Sequence, residues 1–77
     1  MELKDLRLLF DGGALTKATI TKDIMGNGYI VTVDAKGGNQ HIISGQRTKG
    51  EPRVFKSIDA AVKNVSDIGF KHVLVSL

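Results

Sequence analysis

The chain has 77 residues, of which 42% are hydrophobic and 25% are charged, a balance typical of a folded globular protein rather than a disordered one. So short a chain forms a single domain, and because it has no cysteine, disulfides and thiolate metal sites are excluded. No apolar run approaches the ~20 residues of a membrane-spanning helix. With cysteine absent as well, we expect a cytoplasmic protein whose small core depends on close packing or self-association.

The N-terminal segment "ELKDLRLLF" has two interpretations. As a short amphipathic helix it would bury Leu3, Leu6, Leu9 and Phe10; as a strand it would place Leu6, Leu8 and Phe10 on one face. We favour the strand, because a helix of two turns is costly to nucleate and the following "DGG" is typical of a hairpin.

The middle of the chain predicts a β-meander. "ATITKDI" and "YIVTVDA" are rich in β-branched residues, and Asn27-Gly28 between them indicates a tight turn. Gly37-Gly38 predicts the next turn, and "NQHIIS" a further strand. One face of the second strand is predicted to carry Tyr29, Val31 and Val33.

The C-terminal third predicts a helix. Ser57 is a suitable N-cap, Asp59 lies in the first turn, and Gly69 is suited to the C-terminal cap. The apolar stripe of this helix consists of Ile58, Ala61, Val62, Val65 and Ile68. We expect Val62 and Val65 to lie against the sheet.

A short final strand follows this helix, because Val73, Val75 and Leu77 alternate with the residues between them. The predicted fold class is therefore α+β: a curled antiparallel β-meander of three to four strands, one C-terminal helix packed on it and a short final strand, in the order β-β-β-β-α-β.

The positive charge is concentrated between residues 36 and 56. This stretch has five basic residues and one acid, net +4, whereas the remainder has a net charge of −1. Such a patch attracts phosphate or an acidic partner. The candidate nucleic-acid-binding residues are Lys36, Gln46, Arg47, Lys49, Arg53 and Lys56. Alternatively, the stretch is a solvated loop. Base-stacking aromatics are few, which favours duplex DNA over single strands as the target.

Catalytic and metal-binding patterns are poorly supported. His41 and His72 both fall in predicted strands, and nothing in the sequence groups either of them with enough further ligands for a metal. The segment from Gly26 to Gly28 follows one strand and precedes another, so no helix N-terminus is available there for a phosphate. We therefore expect neither an enzyme nor a cofactor.

Three segments, "RVFKSIDAAVKNVSDIGF", "LRLLFDGGALTKATI" and "MGNGYIV", resemble small partition-associated proteins of plasmid and integrative-element loci. The helix entry "FKSIDAA" is also similar to that of three-stranded DNA-binding domains of the integrase arm type, in which the sheet enters the major groove. The resemblance implies a bacterial protein that binds DNA.

Two functional interpretations follow. The first is a non-enzymatic accessory protein of bacterial mobile DNA, which binds duplex DNA or a DNA-associated partner through residues 36–56. The alternative is a protein-interaction module or homodimer, joined through an exposed strand or sheet face and without nucleic-acid binding.

Overall fold

The computed structural model of the chain describes residues 2–24, 26–44 and 53–77. The elements are, in chain order, α1 (Leu3–Asp11), β1 (Leu15–Lys22), β2 (Tyr29–Ala35), β3 (Gln40–Ile42), α2 (Ile58–Ile68) and β4 (Leu74–Ser76). The predicted α+β class is confirmed. The predicted order β-β-β-β-α-β is wrong, because a helix stands in place of the first strand.

The four strands form one mixed sheet in the order β3-β2-β1-β4. β1, β2 and β3 form the predicted antiparallel meander. β4 instead runs parallel to β1, with Ile20 level with Val75, so the wholly antiparallel sheet is a wrong prediction. α2 supplies the crossover that such a parallel pair requires.

The N-terminal segment is helical because α2 packs against it. Leu6 is fully buried in the common core, and Leu3, Leu9 and Phe10 pack against that core, as the helical interpretation required. The cost of nucleating two turns, on which the strand prediction relied, applies to an isolated helix and is offset here by tertiary packing.

The core lies on one face of the sheet, where both helices contribute to it. Buried and less buried residues alternate along the two central strands, so that Ala18 and Ile20 of β1 lie opposite Val33 and Val31 of β2. The other buried residues are Leu6, Leu15, Ile43, Phe55, Ala61, Val65 and Ile68. Neither helix of the described residues is long and apolar enough to cross a membrane.

The predicted caps of α2 are confirmed. The Ser57 hydroxyl accepts a hydrogen bond of 3.1 Å from the Ala60 amide, and Gly69 has a φ of 130°. Val65 is buried as expected, but Val62 is 36% exposed, so its placement against the sheet is wrong. Val62 lies at the margin of the apolar stripe, whose centre is formed by the buried Ala61, Val65 and Ile68.

The connection between β1 and β2 includes the predicted turn at Asn27-Gly28 but begins earlier in the chain, because β1 ends at Lys22. It runs from Asp23 to Gly28 and is closed by a 2.9 Å hydrogen bond from the Asp23 amide to the Gly28 carbonyl. A Cβ at Gly28 would collide with the carbonyl oxygen of Phe55. Glycine is therefore needed for a close approach of two backbone segments.

Candidate functional site

The described cations of the basic stretch do not all lie in one place. Lys36 follows the last residue of β2, whereas Tyr29 at the start of β2 exchanges backbone hydrogen bonds of 2.7 and 2.8 Å with Phe55, next to Lys56. At about 3.3 Å per residue, β2 separates Lys36 from this region by roughly 20 Å. Gln46, Arg47 and Lys49 lie outside the described residues.

Arg53 and Lys56 are both exposed and lie at the same end of the sheet. The Arg53 amide donates a 2.8 Å hydrogen bond to the Ile43 carbonyl, and its guanidinium lies 4.9 Å from the centroid of the buried Phe55 ring. This cation–π contact gives Arg53 a structural role. Lys56 lies just before the N-cap of α2 and is exposed to solvent.

The potentially catalytic or metal-binding side chains are dispersed. His41 lies in β3 at one edge of the sheet, and His72 precedes β4 at the other edge, outside the strand predicted for it. Over the described ranges, no three histidine or acidic side chains lie close enough together to hold a metal ion.

Asp34 is the centre of a small polar cluster instead. Its carboxylate lies 3.5 Å from the Lys17 ammonium and accepts a 3.0 Å hydrogen bond from Gln40, while its carbonyl accepts one of 3.1 Å from Thr16. The register of β1 shifts at this point. The contacts join β1, β2 and β3, so the cluster stabilises the register of the sheet.

The most distinctive surface is the outer edge of β4. Within the described part of the chain, β4 has no neighbour beyond β1, and all three of its residues are exposed. Leu74 is 55%, Val75 40% and Leu77 75% exposed. Residues 73–77 include no charged side chain. An apolar, uncharged edge strand is a ready template for pairing with another chain.

A groove with a volume of about 340 Å³ lies beside this edge. Val62, Val65 and Ser66 of α2 form one wall, and residues 70–73 form the other. The exposed Val62 makes the helix side of the groove apolar, while Lys71 and His72 supply polar groups in the opposite wall. We call the outer edge of residues 73–77 together with this groove the β4 surface.

The opposite edge of the sheet is more polar. Gln40 and His41 occupy two of the three positions of β3. On this side of β2, Tyr29 also forms an isolated antiparallel bridge with Phe55. The start of β2 is therefore covered by a second segment of the chain. Polar residues and short length are common protections of edge strands. β4 is equally short, but among the described residues its edge has less of the polar protection, since two of its three residues are Leu74 and Val75.

The sequence pattern predicted the final strand but not its exposed edge. The local pattern gives no signal for an open edge, because Val73, Leu74 and Val75 place apolar side chains on both faces of the strand. That pattern is typical of a strand covered on both sides. The strand neighbours of residues 73–75 depend on long-range pairing, which the pattern does not reveal.

Comparisons with known proteins add no relative: no family model matches the chain, and neither a curated protein nor a solved structure matches it significantly. The resemblance to partition-associated proteins therefore stays a prediction.

Proposed function

We propose that the protein is a non-enzymatic interaction module that binds an extended, apolar segment of another polypeptide at the β4 surface. The observation that carries this proposal is the outer edge of β4, where Leu74 and Val75 of the strand and Leu77 just after it are exposed in a segment without a charged side chain. In this mode the added strand gains main-chain hydrogen bonds from the sheet edge.

The groove supports specificity in the same mode. Every second side chain of an added strand points to the helix side of the sheet. There it would meet Val62 and Val73, whose apolar surfaces are partly exposed to solvent. An aliphatic side chain at that position would bury apolar area on both partners, and this burial is a main source of affinity in such contacts.

Binding of duplex DNA through residues 36–56 is the second candidate. The observation in its favour is the exposure of Arg53 and Lys56, three residues apart at one end of the sheet. It ranks second because Lys36 lies at the other end of β2 and Arg53 packs on Phe55.

A peptide-library selection tests the interaction module. The protein is immobilised at low density, and displayed peptides that bind it are compared with those that bind Val75→Lys. Lysine on an edge strand opposes strand addition. We expect alternating apolar peptides to be enriched on the wild type and lost on the variant.

Val54→Lys is the matched control, because Val54 is 39% exposed, against 40% for Val75, and lies beyond the opposite edge of the sheet. It should keep the selected peptides. Selection of no peptide, or of peptides that bind Val75→Lys equally well, would contradict the proposed function.

A further inference from the structure

We infer that the segment bound at the β4 surface is β4 of a second copy of this chain, paired antiparallel about a twofold axis at Val75. This inference rests on the proposed function and names its partner. An isologous contact of this kind closes after two subunits, so it gives a dimer and not a filament.

The register follows from the symmetry of the strand. Residues that pair directly across two antiparallel strands point to the same face of the sheet. A twofold axis perpendicular to the sheet must therefore lie between one residue and its own copy, because neighbouring residues point to opposite faces. With the axis at Val75, Val75 pairs with its own copy, Leu74 with Ser76, and Val73 with Leu77. Each large side chain of this segment then lies opposite a smaller one or a valine.

The groove gives this register a specific contact. Val75 is level with the buried Ile20, so Val75, Val73 and Leu77 point to the helix side. Leu77 of the second copy, opposite Val73, would therefore project over the groove that Val73 and Val62 line. The volume of about 340 Å³ is ample, because roughly 150 Å³ already admits a benzene-sized group.

Leu77 is the most exposed apolar residue of this edge, at 75%. In the twofold-symmetric dimer, both copies of Leu77 would become buried. Each copy places its Leu77 beside the groove of the other. An unrelated apolar peptide would fill the groove of this chain but would not offer a second groove to receive this chain's Leu77. The second copy covers both, which is the reason for choosing it as the partner.

The charges favour the antiparallel orientation. In this register Lys71 lies roughly 25 Å from its own copy along the strands, well beyond the screening length of about 8 Å. A parallel, in-register pair would place the two Lys71 ammonium groups side by side. Like charges directly opposite each other destabilise strand pairs.

The dimer would be a continuous sheet formed from two four-stranded sheets, with the helices of both copies on the same side. Sedimentation equilibrium between roughly 10 µM and 1 mM, the range of weak association, measures it directly. We expect a reversible monomer–dimer equilibrium for the wild type and for Val54→Lys, and monomers for Val75→Lys and Leu77→Asp. Both substituted side chains are exposed, so circular dichroism should show all variants folded.

Cysteine substitutions test the register, because the chain has no cysteine of its own. In Val75→Cys the two Cα atoms would lie about 5 Å apart, within the reach of a disulfide. In Ser76→Cys the two copies would lie diagonally, about 7–8 Å apart, beyond that reach. We expect Val75→Cys to oxidise to a covalent dimer at least tenfold faster than Ser76→Cys, and mixed Leu74→Cys and Ser76→Cys to form a heterodimer.

A wild type that stays monomeric up to 1 mM, or a dimer that Val75→Lys leaves intact, would overturn the inference. Faster oxidation of Ser76→Cys than of Val75→Cys would overturn the register. If the inference fails while selected peptides still bind in a Val75-dependent manner, the proposed function stands with a different partner. If selection also fails, both are wrong.

Discussion

Replacing Gly69 with alanine should lower the free energy of unfolding by about 1.5–3.5 kcal/mol, because two separate features of the structure require glycine there. Gly69 has a φ of 130°, in the region that residues with a Cβ rarely adopt. A Cβ built at this position would also lie 2.5 and 2.6 Å from two carbon atoms of the Phe10 ring.

The magnitude combines these two effects. The backbone strain of a residue with a Cβ in such a conformation costs on the order of 1–2 kcal/mol. The Phe10 ring must also move away from Phe70, with which it forms an edge-on pair at 4.8 Å and 64°. Loss of that pair costs about 0.5–1.5 kcal/mol. Valine adds a branch at the same Cβ, so Gly69→Val should cost more than alanine.

Urea unfolding followed by circular dichroism measures the effect, with a lower midpoint at an unchanged slope as the expected result. Gly38→Ala is the matched control, because Gly38 also has a positive φ, 86°, but nothing lies within 4 Å of a Cβ there. It should cost only the strain, about 1–2 kcal/mol. Equal losses for the two variants would refute the contact with Phe10, and a negligible loss for Gly69→Ala would refute the backbone conformation as well.

Three further predictions follow from the helix and the basic stretch. Val65→Asp should prevent stable folding because Val65 is only 2% exposed, whereas Val62→Asp, at 36% exposure, should keep a cooperative thermal transition in circular dichroism. Ser57→Ala should lower the free energy of unfolding in urea by about 1 kcal/mol, since the amide of Ala60 loses its acceptor. If the second candidate function holds, Arg47→Ala with Lys49→Ala should weaken duplex DNA binding for all sequences and reduce the salt slope by about two in a titration.

Internal controls make these outcomes decisive. Ser66→Ala, an exposed serine of α2 that makes no cap, should change stability by less than about 0.5 kcal/mol. Equal losses at Ser57 and Ser66 would argue against the cap. Lys63→Ala with Lys71→Ala removes the same charge from outside residues 36–56. This double variant should reduce the salt slope less than Arg47→Ala with Lys49→Ala does. Absence of duplex binding by the wild type at low salt would exclude the DNA candidate.

The elements that the sequence predicted correctly are those whose signals are local. α2 has a cap at Ser57, a 3.6-residue apolar period and a glycine stop, all within thirteen consecutive positions. The meander likewise follows from the alternation in β1 and β2, whose strands pair with their neighbours in sequence. Interactions between residues close in sequence are sufficient for these elements, and so they could be read without a structure.

Tertiary contacts decided the rest. Leu3, Leu6, Leu9 and Phe10 are compatible with a helix, and the choice against a strand came from packing on α2. The same holds for the candidate site, because Val73–Leu77 is an apolar strand in any arrangement. Its position at an open edge, beside a groove and parallel to β1, depends on where α2 returns the chain. Strand neighbours are set by long-range pairing, which a periodic pattern does not encode.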